Sequence, residues 1–147
     1  MKKIKIMAIL LTAAVISGTV LTDGVSGLRD KLSEGVEHSN RGEYDKAAEV
    51  FRQIIQADSG YADAHLALGI AYINMERPGE ALPYLERAAE LDPESRKALF
   101  VLARLYERNE DTARAAVTWE RFLLLNPEAR FERIARRHLE RLRRQDD

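Results

Sequence analysis

Few side chains in this sequence could carry out chemistry. The chain has no cysteine and only three histidines, His38, His65 and His138. The lack of cysteine excludes thiolate zinc sites, iron–sulfur clusters, disulfides and a thiol nucleophile. No two histidines have the i, i+4 spacing of a helical metal site, and the sequence has no glycine-rich phosphate-binding loop. We therefore expect no catalytic residue, no metal and no cofactor, and we expect that the protein is not an enzyme.

The composition favours a helical protein of one domain. The 147 residues include 8 glycines and 4 prolines, a share of about 8% against an average of roughly 12%. Such a small share argues against a turn-rich β-sandwich. The formal net charge is −1, but seven arginines between residues 130 and 144 make the C-terminal end basic. The body of the chain before them is acidic.

The N-terminal segment, residues 1–27, has the pattern of an export signal. Lys2, Lys3 and Lys5 precede an apolar run at residues 6–16, and Gly18 and Gly27 are sterically suitable cleavage points. This order of basic, apolar and small residues is typical of a secretory signal peptide. The alternatives are an uncleaved membrane tether through residues 6–21 and a buried core helix. We expect an exported protein, periplasmic in a bacterium with two membranes, or one anchored in the inner membrane and facing outward.

A regular repeat runs through the middle of the chain. The segments that end in Pro93 and Pro127 lie one period apart and divide the sequence into three units of equal length, at residues 28–61, 62–95 and 96–129. Small and bulky apolar residues recur at matching places in the last two units, namely Leu68, Gly69, Tyr72, Ala81, Leu85 and Ala88, and then Leu102, Ala103, Tyr106, Ala115, Trp119 and Phe122. This pattern resembles the tetratricopeptide repeat.

The resemblance implies an all-α fold, a right-handed superhelical stack of antiparallel helix pairs. The first unit departs from the pattern at Lys31, Glu34 and His38. Polar groups suit an outer helix that has no preceding neighbour, so the departure is consistent with a terminal repeat. The resemblance also implies a protein–protein interaction module or assembly adaptor.

In this family, ligands bind the concave face, which is lined by the first helix of each unit. Carried over to this sequence, that face is a run of apolar groups edged by polar and cationic ones. The expected partner-binding residues are Leu32, Val36, Leu66, Ile70, Ile73, Asn74, Phe100, Arg104 and Arg108. The basic clamp with which some members bind acidic tails agrees only at Lys97, so the expected ligand is a protein segment with apolar anchors. The alternative is a scaffold that self-associates into a homo-oligomer.

The last segment, residues 130–147, is predicted to be a capping helix with a short tail. Apolar or aromatic groups form one stripe along it, namely Phe131, Ile134, Ala135, His138 and Leu142. The stripe should cover the third unit, with the arginines on the solvent side and able to pair with Glu132 and Glu140. Binding of an anionic surface or nucleic acid is the alternative. No nucleic-acid partner is expected, because no aromatic residues alternate with the arginines.

Overall fold

The structure, a computed structural model, describes residues 26–144. Within this range the backbone forms seven α-helices and no strand, which confirms the all-α prediction. The helices are α1 (26–40), α2 (Tyr44–Ala57), α3 (Ala62–Asn74), α4 (Pro78–Leu91), α5 (Arg96–Arg108), α6 (Thr112–Leu124) and α7 (Ala129–Arg143). The first residues of the second and third units, Ala62 and Arg96, are also the first residues of α3 and α5.

Almost all of the predicted export signal lies outside the described residues. Residues 26 and 27 are already helical and belong to α1, so cleavage after Gly27 would remove the first described residues of that helix. Gly18 lies outside the described range. Among residues 26–144, no helix is long and apolar enough to cross a membrane.

The two helices of each unit pack closely because small residues face large ones. A Cβ atom added to Gly69 on α3 would lie 2.6 Å from Cγ and 2.7 Å from Cδ2 of Leu85 on α4, and one added to Gly35 would overlap the Phe51 ring. The large side chains that fill this position in the three successive units are Phe51, Leu85 and Trp119, and all three are fully buried. The alternation of small and large residues therefore sets the distance between paired helices.

The turn inside each unit is closed by the same hydrogen bond. In every unit the backbone N–H at the end of the turn donates to a carbonyl five residues earlier, at 2.9 Å; the pairs are Glu43 to His38, Arg77 to Tyr72 and Asp111 to Tyr106. In each turn one residue has a positive φ: 77° at Gly42, 60° at Glu76 and 59° at Glu110. Only the first of these has the residue type that favours this conformation, so the repeat geometry imposes the turn on the other two.

Adjacent units are joined by tyrosines that reach back to the preceding unit. Arg52 on α2 donates to the Tyr72 hydroxyl at 3.1 Å, and the Tyr106 hydroxyl donates to Glu86 on α4 at 2.7 Å. Burial, together with the bond to Glu86, raises the pKa of Tyr106 to about 12. Helices make their main contacts with the next helix along the chain, so the stack is held by neighbour-to-neighbour packing.

Helix α7 packs on α6 and covers the end of the third unit. Ala135, Leu139 and Leu142 are buried against the stack, while Phe131 and Ile134 are half-buried. Some of the arginines on the helix are paired with carboxylates, at 2.8 Å for Arg136 with Glu132, 3.0 Å for Arg143 with Glu120 and 4.0 Å for Arg144 with Glu140. Arg141 is also exposed, with 56% of its side chain accessible, and it bonds to Glu107 on α5.

Candidate partner-binding groove

The first helices of the second and third units and α7 together line an open groove of about 550 Å³. Its lining residues come from α3, α5 and α7, and they are Ile73, Phe100, Val101, Arg104, Leu105, Glu107, Arg108, His138 and Arg141. Four of these nine residues are apolar and three are arginines, and the other two are Glu107 and His138. Such a surface can bury an apolar partner side chain and pair with acidic groups on the same partner.

Four of the nine predicted partner-binding residues line this groove directly, namely Ile73, Phe100, Arg104 and Arg108. The others lie on α1 and α3, outside its lining. Leu32 and Ile70 are half-buried against the core, Val36 is 42% exposed and Asn74 is exposed. The expectation for Leu66 needs correction. It is 6% exposed and belongs to the core, because α3 lies inside the stack and its neighbours cover this side chain.

A smaller cavity of about 200 Å³ lies where α5 and α7 begin. Its walls are mostly rings and its mouth carries charged side chains; the lining residues are Arg96, Lys97, Phe100, Phe122, Pro127, Glu128 and Phe131. The Phe100 ring meets the rings of Phe122 and Phe131 with centroids 5.6 Å from each. Because Phe100 also lines the open groove, the cavity adjoins the groove at that residue.

A nearly buried carboxylate, Glu107, ties α7 to the third unit. Its side chain is 9% exposed and accepts three bonds: from the Trp119 indole N–H at 2.5 Å, from His138 Nδ1 at 2.8 Å and from Arg141. The His138 ring also stacks on the Trp119 ring, with centroids 5.3 Å apart. Donors on α6 and α7 therefore satisfy the hydrogen-bonding capacity of this carboxylate. Glu107 links α5 to those two helices and is not a free acid in the groove.

Four cations along the groove and at the cavity mouth have no ion-pair partner in the described part of the chain, unlike Arg141. Arg104 and Arg108 on α5 are exposed, and so are Arg96 and Lys97 at the cavity mouth. None of these side chains forms an ion pair within residues 26–144, whereas several arginines near the C-terminus do. The groove therefore presents unpaired positive charge beside apolar surface.

Comparison with known families identifies the fold. Two family models described as tetratricopeptide repeat match residues 66–130 and 41–82. The chain belongs to the tetratricopeptide repeat family. The chain is also similar to anaphase-promoting complex subunit 3 of Schizosaccharomyces pombe, with 29% identity over 101 residues. That match covers 69% of this chain but only 15% of the yeast protein.

Solved tetratricopeptide repeat structures have the same fold. The type III secretion chaperone SycD of Yersinia enterocolitica, in complex with a peptide of the translocator YopD, superimposes with a TM-score of 0.74 at 18% identity, covering 83% of this chain and 96% of that one. PcrH, in complex with the chaperone binding region of PopD, gives 0.71 at 21% identity, covering 83% and 95%. At these identities the likeness establishes the fold alone.

The part of the groove that the capping helix builds is not evident from the sequence pattern. The apolar stripe of α7 indicates a cover for the third unit, yet His138 and Arg141 also line the groove and Phe131 lines the cavity. One signal was available in the repeat period. Glu107 and Arg141 lie one period apart, so they fall side by side if α7 follows the course of α5.

The histidines of this repeat protein have structural partners. His38 bonds to Glu43, and His65, which is 7% exposed, lies 3.0 Å from the Ser59 carbonyl through Nε2. Within the described range, no group of three or more histidine, aspartate or glutamate side chains could hold a metal ion.

Proposed function

We propose that this tetratricopeptide repeat protein is an adaptor that holds a segment of a partner protein in the groove formed by α3, α5 and α7. The observation that carries the proposal is the combination of apolar lining with unpaired arginines at Arg104 and Arg108. Burial of apolar partner side chains would supply most of the affinity, and the arginines would select acidic neighbours. The protein would therefore act by recognition, without catalysis.

The peptide complexes of SycD and PcrH support this proposal. Each of those chaperones has the same fold and was solved with a segment of another protein bound to it. The groove of this chain is open enough, at about 550 Å³, to receive such a segment. Capture of the partner from cell extracts would identify the protein that supplies it.

The proposed place of action is outside the cytoplasm. The lysines and the apolar run at residues 6–16 support export, by a cleaved signal or by a tether through residues 6–21. N-terminal sequencing of the protein purified from the envelope distinguishes the two, because cleavage removes the lysines. Recovery of the full chain from the soluble cytoplasm would contradict export.

The binding test compares two substitutions of an apolar residue by glutamate. Ile73→Glu places a charge on α3 in the lining of the groove, whereas Val117→Glu places it on α6, where Val117 is already 58% exposed. We expect the tagged wild type and Val117→Glu to retain the same partner from envelope extracts, and Ile73→Glu to lose it. Circular dichroism must show equal helicity in all three proteins. Equal capture by folded Ile73→Glu would contradict the proposed function.

A second candidate, a self-associating scaffold, is favoured by one surface. Val117 and Leu124, 58% and 79% exposed, lie seven residues apart and therefore on one face of α6. If copies of the chain associate through this face, light scattering should show an oligomer that Val117→Glu disperses. A monomer at all concentrations would exclude this candidate and leave the adaptor.

A further inference from the structure

The cavity where α5 and α7 begin has the size and lining of a receptor for one side chain. It measures about 200 Å³, and Phe100, Phe122, Pro127 and Phe131 supply apolar walls. An apolar cavity gives water few hydrogen bonds, so replacing its contents with a hydrocarbon group is favourable.

The charges around this cavity indicate what should flank that side chain. Arg96 and Lys97 stand at the mouth, exposed and without ion-pair partners in the described part of the chain. Arg104 and Arg108 continue the positive charge along the adjoining groove. Glu128 is the single acidic residue of the cavity lining. Acidic side chains therefore fit beside the cavity better than basic ones.

We propose that this cavity is an anchor site for one bulky apolar side chain, carried by an extended acidic segment of a partner protein. The proposal rests on the proposed function, since Phe100 joins the cavity to the partner-binding groove. It adds the position of the anchor and the charge of the ligand. Apolar burial in the cavity fixes the register, and pairing with the cations along α5 holds the rest of the segment.

The chain's own N-terminal segment is a poorer occupant. Its apolar run at residues 6–16 follows Lys2, Lys3 and Lys5. These lysines would be repelled by Arg96, Lys97 and the groove arginines. A partner segment with acidic residues on either side of the anchor side chain is attracted by the same cations.

The first test varies the ligand and leaves the protein unchanged. The probe is a synthetic peptide with one phenylalanine between aspartates, compared with a peptide carrying alanine in its place and with one whose aspartates are lysines. Binding is read from Trp119, the single tryptophan, whose ring lies 5.3 Å from the Phe100 ring. Loss of a buried phenyl group should weaken binding about tenfold or more. The lysine peptide should bind more weakly than the aspartate peptide by a factor that shrinks at high salt.

The second test places a charge reversal at the mouth and a matched one elsewhere. Lys97→Glu should weaken the aspartate peptide by about three- to tenfold, while Arg137→Glu, on the exposed outer face of α7, should leave it unchanged. Both changes are at exposed sites and should preserve the fold. Equal binding of the phenylalanine and alanine peptides, no peptide binding at all, or equal effects of the two variants would overturn the proposal.

The two proposals fail in different ways. If the envelope partner depends on Ile73 but binds Lys97→Glu as well as wild type, the groove functions as proposed and the cavity does not anchor the partner. If the peptides bind as expected but no envelope partner depends on Ile73, the cavity is a receptor and the adaptor role is wrong.

Discussion

The close approach of α3 to α4 at Gly69 leads to a sharp prediction about one methyl group. In Gly69→Ala the new Cβ would lie 2.6 Å from Cγ and 2.7 Å from Cδ2 of Leu85, which is fully buried and cannot move aside freely. Overpacking of this kind destabilises a core by about 1–3 kcal/mol. Alanine in a helix interior recovers about 1 kcal/mol of propensity, so the net loss should be up to about 2 kcal/mol.

The same substitution at Gly79 is the matched control. Gly79 lies in the first turn of α4, and a Cβ there would meet nothing within 4 Å. Gly79→Ala should therefore be neutral or stabilise the protein by up to about 1 kcal/mol. Urea unfolding followed by circular dichroism measures both. In a Leu85→Ala background the loss caused by Gly69→Ala should largely disappear. If the two alanine variants are equally stable, Gly69 does not set the distance between the helices.

Two further predictions concern carboxylates and a tyrosine. Glu107→Ala leaves the Trp119 indole N–H buried without an acceptor and should destabilise the protein to urea by about 2–4 kcal/mol. Glu120→Ala breaks an exposed ion pair and should change the free energy of unfolding by less than about 1 kcal/mol. Similar losses in the two variants would show that Glu107 does not hold α7 on the third unit. Tyr106 should ionise near a pKa of about 12, against 10.0 for an unperturbed tyrosine. Because the unfolded chain releases this proton first, the free energy of unfolding should fall as pH rises from 10.0 to about 12, and the late step in tyrosinate absorbance should vanish in Tyr106→Phe.

The repeat could be predicted from sequence because its signals are local and periodic. Pro93 and Pro127 mark the period, and small residues such as Gly69 mark where helices approach. The backbone conformation of the turns is harder to predict from sequence. Nothing in Glu76 or Glu110 indicates a positive φ, and only their distance of one and two periods from Gly42 does so.

The candidate site was predicted less well because it depends on exposure and on side chains that meet across helices. Leu66 and Phe100 occupy equivalent places in consecutive units, yet the first is core and the second lines both the groove and the cavity. The difference arises from their neighbours, since α3 is internal and α5 faces α7. Periodicity gives equivalent residues the same role and does not detect this difference.

The tyrosine contacts between units have a consequence for the length of the molecule. The bonds of Tyr72 to Arg52 and of Tyr106 to Glu86 join successive units at positions related by one repeat period. A copy of the middle unit inserted between Ser95 and Arg96 would meet matching surfaces on both sides. The protein could then be lengthened at one seam without redesign of either end, and the cavity at α7 would move outward unchanged at the tip of a longer groove.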